Sequence, residues 1–201
     1  MDAIIFDLDG TLLDSEPWHK KAEIEAFKTF GIEIGETDLI PFVGTTLPHM
    51  LGGIAPNLTV DEFLAVEQPI LAGYIAEQME AFADAERLVD RLKFPLALAT
   101  SSMRWYVDAT TQRFPWLESR FTVRRCQADI TKGKPDPEIF LQVCEALGFE
   151  PGRCLVIEDS PNGVAAGRAA GCKVVGVQRH PELDLSAAHE VVSDLDRLWF
   201  V

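Results

Sequence analysis

Ala3-Ile4-Ile5-Phe6-Asp7-Leu8-Asp9-Gly10-Thr11 is the stretch that decides the fold. Four apolar residues in a row run straight into two carboxylates and a glycine, the pattern of a short buried strand ending at a polar edge. Residues two apart on an extended chain face the same side, roughly 6 to 7 Å apart, so Asp7 and Asp9 can straddle one phosphoryl group. One carboxylate can attack phosphorus while the other handles the leaving-group proton. Gly10 lets the backbone turn tightly after them. A bare Asp-x-Asp also fits a solvated turn; the apolar strand before it and Gly10-Thr11 after it favour chemistry.

Working outward, three more apolar runs read as buried parallel strands: Leu96 to Ala99, Leu155 to Ile157 and Val174 to Val177, with Phe121 to Val123 a weaker candidate. Helical patterns separate the later runs. One opens at Asp136-Pro137, carries Phe140, Val143, Cys144 and Leu147 at helical spacing, and stops at Gly148. Another is capped by Ser160, opens with Pro161 and ends at Gly171. Strands alternating with helices predict an α/β fold, a doubly wound, Rossmann-like parallel sheet. About 90 residues separate Phe6 from Leu96, far more than a βα connection needs. The intervening stretch starts at Ser15-Glu16-Pro17 and places Ala22, Ala26, Phe27 and Phe30 on one helix side. Residues 15–82 are therefore expected to form a helical cap inserted after the first strand, with 1–14 and 83–201 as the catalytic core. The tail after Val177 is short, so the sheet is expected to lack a peripheral strand.

Ligands of open α/β sheets bind beyond the carboxyl ends of the strands. The second strand ends in Thr100-Ser101-Ser102, whose hydroxyls and free N–H groups suit phosphate oxygens or, more plainly, a helix cap. Lys134, in Gly133-Lys134-Pro135-Asp136-Pro137, precedes a proline, which favours extended backbone and a stiff loop. It is either a solvated lysine or the cation that neutralises a nucleophile and a phosphoryl group. The Leu155 strand ends in Glu158-Asp159-Ser160; two carboxylates at a buried strand end are costly unless something positive sits there. Magnesium takes one or two carboxylates plus phosphate and water. Ser160 suffices as a helix cap, which weights the pair towards metal.

Together these pieces resemble the haloacid dehalogenase superfamily. Asp14-Ser15-Glu16-Pro17 and Asn162-Gly163-Val164-Ala165-Ala166 extend the match to nearly the whole chain, closest to the β-phosphoglucomutase-like branch with its sugar-phosphate phosphatases. The resemblance implies strand order 5-4-1-2-3, Asp7 as the nucleophile forming an aspartyl-phosphate, and Asp9 as general acid and then base. It implies that Thr100 and Ser101 bind phosphate and that Lys134 steadies nucleophile and transferred group. It implies a Mg2+ ion held by Asp7, the Asp9 backbone carbonyl, Asp159, and Glu158 directly or through water. By family position His19 faces the active site, and the cap stretch Gly44-Thr45-Thr46 helps set specificity. Two departures stand out. Leu47 occupies the place where the mutases carry an arginine for a second phosphate, and Ala83-Asp84-Ala85 replaces a Pro-Gly-Val at the second hinge. A phosphatase is expected, with a phosphomutase as the alternative. Asp9 argues against dehalogenation, and a phosphonate hydrolase would need a Schiff-base lysine, for which Lys20 and Lys21 are the candidates. A non-catalytic binding protein would be expected to have lost a motif residue, and none is missing.

Composition sets the surroundings. The net charge of −14 lacks the basic footprint of a nucleic-acid or anionic-membrane binder, so a phosphate site needs its own cations; Lys134 and a metal supply them. Cys126, Cys144, Cys154 and Cys172 have neither Cys-x-x-Cys nor zinc-type spacing, so free thiols are expected. No signal peptide or membrane-length apolar run is evident. The expected partner is a small phosphorylated metabolite, and the expected state a cytoplasmic monomer.

Overall fold

The computed structural model describes residues 1–42 and 47–198; Gly44-Thr45-Thr46 and Trp199 lie outside them. The strands are β1 (Ala3–Phe6), β2 (Leu13–Asp14), β3 (Glu80–Ala81), β4 (Leu96–Ala99), β5 (Phe121–Arg125), β6 (Cys154–Glu158), β7 (Lys173–Val177) and β8 (Glu190–Val192). Every residue of β1, β4 and β6 is buried. Burial on both faces is why these strands read as unbroken apolar runs rather than alternating ones.

Six strands form one sheet in the order β5-β4-β1-β6-β7-β8, and every neighbouring pair is parallel. The expected α/β parallel sheet is present, and counting only the five expected strands its order is 5-4-1-2-3. The expectation of a missing peripheral strand is corrected: β8 pairs with β7 at the edge. Of its three residues Val192 alone is buried, so no apolar run announces it. One face of the sheet, with Ala3, Ile5, Ala97, Ala99, Val156 and Val174, packs against Ile139, Phe140 and Val143 of the helix Glu138–Leu147 and Val164 and Ala166 of the helix Pro161–Ala169. Ser160 caps its helix as expected, its Oγ accepting from Gly163 N–H at 3.0 Å; at the other start the cap position falls to Pro137, one residue later than expected, and Asp136 Oδ1 before it accepts from Glu138 N–H at 3.1 Å. The four cysteines are free and buried.

The chain divides into two compact units, Met1–Asp14 with Glu80–Val201, and Ser15–Met79. The border falls at a two-stranded antiparallel ribbon in which Leu13 pairs with Ala81 and Asp14 with Glu80. Residues 80–82 therefore go with the sheet unit, not with the inserted segment. Beside the ribbon, Arg179 makes a fork to Asp84, 2.9 Å from each nitrogen to each oxygen, and lies 3.9 Å over the Phe82 ring. Asp84 Oδ2 also accepts from Leu195 N–H at 2.9 Å. Burial works against the Asp84 carboxylate, but these donors outweigh it and hold the carboxyl below its ordinary range.

The inserted unit is helical. Its two long helices, Glu16–Thr29 and Val60–Glu77, pack on one another, with Phe27 and Phe63 rings 4.8 Å apart in a cluster that includes Ala26, Met50 and Leu51. Thr59 and Glu62 form a reciprocal capping box at the second helix start. Among the described residues no helix is long and apolar enough to cross a membrane.

Candidate active site

β1, β4 and β6 are neighbours, so their carboxyl ends bring Asp7, Thr100 and Glu158-Asp159 to one edge of the sheet. Asp7 extends the β1–β6 ladder through its N–H to Ile157 carbonyl at 3.0 Å, and Thr100 extends the β4–β5 ladder to Arg125 carbonyl at 3.0 Å. Backbone pairing thus fixes the roots of these side chains.

Lys134 comes in from the loop after β5; its peptide bond to Pro135 is cis. Its Nζ donates to Asp7 Oδ1 at 2.5 Å, Glu158 Oε1 at 2.8 Å and the Ala99 carbonyl at 3.0 Å. All three ammonium protons are thereby used. Burial alone would depress this lysine, yet the Asp7 and Glu158 charges reverse the effect and raise it above its ordinary value. Glu158 Oε2 accepts from Ser160 N–H at 2.8 Å and Ser160 Oγ at 2.9 Å. Both Glu158 oxygens therefore already have donors.

Asp159 is buried, with Oδ1 accepting from Thr11 Oγ1 at 2.9 Å. Its Oδ2 lies where a Cβ on Gly10 would come within 2.1 Å, and Gly10 itself has φ +73°. Glycine is required there twice over, for the turn and for the carboxylate. Burial, then the Glu158 charge, push the Asp159 carboxyl up to about 7. Asp7 is raised well above its usual range, by burial first; Lys134 opposes this, and Glu158, Asp159 and Asp9 add to it.

Three acidic groups thus share one ammonium, and with all three ionised the site carries excess negative charge in a buried setting. A hard cation matches this oxygen-only set. Among the described residues no three His, Cys, Asp or Glu side chains form a metal-holding group by themselves.

Asp9 is held differently. Tyr106 OH donates to its Oδ1 and Ser102 Oγ to its Oδ2, each at 2.5 Å. Thr100 Oγ1 accepts from Ser102 N–H at 3.0 Å, while Ser101 is exposed. The structure therefore brings Asp7, Asp9, Thr100, Lys134, Glu158 and Asp159 to one edge and adds Thr11 and Tyr106, to which sequence reasoning gave no role, and Ser102, which it offered only as a phosphate or helix-cap group and which instead meets Asp9. Spacing gave a hint for Ser102, adjacent to the expected Ser101; nothing local pointed to Tyr106, which meets Asp9 across 97 positions. His19 belongs to the helical unit, where its charge lowers the carboxyls of Glu23 and Glu67 against a dominant upward effect of burial.

A family model for haloacid dehalogenase-like hydrolases matches residues 1–171. The chain belongs to this family and is a hydrolase by that membership, as the sequence resemblance implied. Among its relatives is the bifunctional riboflavin kinase/FMN phosphatase of Arabidopsis thaliana, 30% identical over 96% of this chain; the chain spans 53% of that protein. The phosphorylated carbohydrates phosphatase of Thermotoga maritima is 30% identical over 88% of this chain and 85% of its own length. The crystal structure of CbbY from Rhodobacter sphaeroides shares the fold, with a TM-score of 0.87 at 21% identity, covering 98% of this chain and 96% of that one.

Proposed function

We propose that the chain is a magnesium-dependent phosphatase that hydrolyses a small phosphate monoester, of the phosphorylated-sugar kind, through an aspartyl-phosphate on Asp7. The observation that carries this reading is the buried Lys134 ammonium placed 2.5 Å from Asp7 Oδ1. It orients the attacking carboxylate and meets the charge of the group being transferred. Asp7 attacks phosphorus, the bond to the leaving oxygen breaks, and Asp9 protonates that oxygen. Water then attacks the aspartyl-phosphate, Asp9 takes its proton, and inorganic phosphate departs with Asp7 restored.

Asp7 and Asp159, with the Asp9 carbonyl, would hold magnesium. When bound, the ion offsets phosphoryl charge as a Lewis acid. Glu158, whose oxygens are engaged by Lys134 and Ser160, acts in this reading by anchoring Lys134 rather than as a direct ligand. Thr100 Oγ1 accepts from Ser102 N–H and has its own proton to donate to a phosphoryl oxygen; Ser101, exposed beside it, is the further phosphate contact. The helical unit serves as a cap that excludes water and sets specificity through His19 and residues 44–46. Leu47 packs against the unit's own apolar cluster, which favours hydrolysis over a mutase reaction needing a second phosphate grip. Sugar phosphates fit best as substrates, given the phosphorylated carbohydrates phosphatase among the relatives, and the protein acts as a cytoplasmic monomer.

The test is phosphate release from a panel of phosphorylated sugars, polyols and nucleotides, with magnesium or with EDTA. Release that requires magnesium is expected. No release from any member, or full activity in EDTA, would overturn the reading.

A further inference from the structure

Tyr106 carries a group that the reaction above leaves unused. It lies in the helix Arg104–Arg113, is 2% exposed, and has the Trp105 ring edge-on at 5.9 Å. Packing explains an aromatic ring at this position; it does not explain the hydroxyl, which phenylalanine would omit while filling the same space. A phenol this deep has to find a partner, and its partner is Asp9 Oδ1 at 2.5 Å.

The other Asp9 oxygen is held just as closely, by Ser102 Oγ at 2.5 Å. Ser102 is fixed in turn: its N–H donates to Thr100 Oγ1 and its carbonyl accepts from Gln127 N–H, both at 3.0 Å. Each Asp9 oxygen therefore has a hydroxyl donor rooted in a different piece of the fold, one in a helix and one in the turn after β4. Two such anchors determine both the position of the carboxylate and the tilt of its plane.

An acid–base group that serves a leaving oxygen and then a water has to stay aligned through both steps, and misplacement by about 1 Å can cost on the order of 100-fold. We infer that Tyr106, together with Ser102, is a positioning residue that aligns the Asp9 carboxylate for proton transfer. Both hydroxyls are directed at Asp9 and act through it. The inference rests on the phosphatase reading and deepens it.

Tyr106→Phe removes the hydroxyl and keeps the ring. It is compared with wild type, Asp9→Asn and the double variant in magnesium, using p-nitrophenyl phosphate and rapid-quench measurement of protein-bound phosphate. Nitrophenolate leaves without a proton, so kcat/KM reports the first step and stays near wild type in Tyr106→Phe. Hydrolysis of the aspartyl-phosphate needs Asp9, so kcat falls roughly 10- to 100-fold and phosphoenzyme accumulates. In the Asp9→Asn background the same change has no further effect, because the group it aligns is gone. Ser102→Ala, on the other oxygen, behaves alike and decides the matter if Tyr106→Phe does not fold. A purely structural hydroxyl would lower the melting temperature and leave kcat and the phosphoenzyme level unchanged, which overturns the inference. So does an equal loss of kcat in the presence and absence of the Asp9 carboxylate. Wild-type turnover in Asp9→Asn would remove the acid–base assignment itself and this inference with it; failure of the inference alone leaves Asp9→Asn impaired and Tyr106→Phe active.

Discussion

Adding one methyl group at Gly163 should disable the site without unfolding the protein. A Cβ there would stand 1.6 Å from Glu158 Oε1 and 1.8 Å from its carboxyl carbon, where ordinary contact begins at 3.4 Å. The carboxylate would have to withdraw by about 1.8 Å, the difference between those two distances. Glu158 Oε1 is the atom that holds Lys134 at 2.8 Å, and Lys134 holds Asp7 at 2.5 Å, so the displacement passes directly to the proposed nucleophile. A shift of this size predicts a loss of kcat on the order of 100-fold. Stability is less affected. Overpacking costs about 1–3 kcal/mol, and replacing glycine by alanine in the first turn of the helix Pro161–Ala169 returns up to about 1 kcal/mol. The assay is steady-state phosphate release by Gly163→Ala beside a thermal melt of the same preparation. A folded variant with wild-type kcat would refute the chain of contacts from Gly163 through Glu158 and Lys134 to Asp7.

Asp7→Asn should abolish both turnover and protein-bound phosphate; label retained on this variant in a quench experiment would identify another nucleophile. Asp159→Ala should melt as a folded protein and lose most activity, since it removes a carboxylate proposed to hold magnesium; wild-type rates would remove that assignment. Glu67 is buried in the helical unit, and burial, with Glu23 adding, pushes its carboxyl from 4.5 up to about 7. In the folded state it keeps a proton that the unfolded chain gives up, so stability should fall as pH rises from about 4.5 to about 7, by at most about 3 kcal/mol at 1.36 kcal/mol per pH unit. Melting curves of Glu67→Gln across that range should be flatter than wild type; identical slopes would reject this. Arg179→Ala leaves Asp84 charged and buried, and breaking such a pair costs about 3–5 kcal/mol, to be read from urea unfolding of the variant.

The parts of the fold legible in the sequence are those with local causes. β1, β4 and β6 are buried on both faces and so had to be written as apolar runs, and the Ser160 cap and the Asp136 bond to Glu138 N–H are short-range chemistry. β8 was illegible because two of its three residues face solvent; its pairing with β7 comes from tertiary placement. The border of the inserted unit was misplaced by three residues because a two-residue ribbon has too few positions to show a period of two. In the site, the residues at strand ends could be found from the strands themselves. Tyr106 could not, since its significance lies in a hydroxyl meeting a carboxylate 97 positions away. The Glu158–Ser160 bonds, which occupy the second oxygen of that acid, likewise appear only once side chains are placed.

The ribbon at the border has a consequence for modularity. Asp14 and Glu80 are paired partners, so the sheet unit offers the two ends of the inserted segment side by side, already in antiparallel register. Two strands ending in that geometry can be closed by a two-residue turn of the Asn-Gly type. Residues 15–79 are thus the equivalent of a loop tip, however large, and the sheet unit keeps the strands, the Arg179–Asp84 fork and all the strand-end carboxylates when they are replaced. A chain with that segment exchanged for a short turn, or for the helical unit of a relative, joins at the same pair of residues. The two units can then be exchanged between relatives as separate cassettes, which would separate chemistry from substrate choice if the proposed division of roles holds.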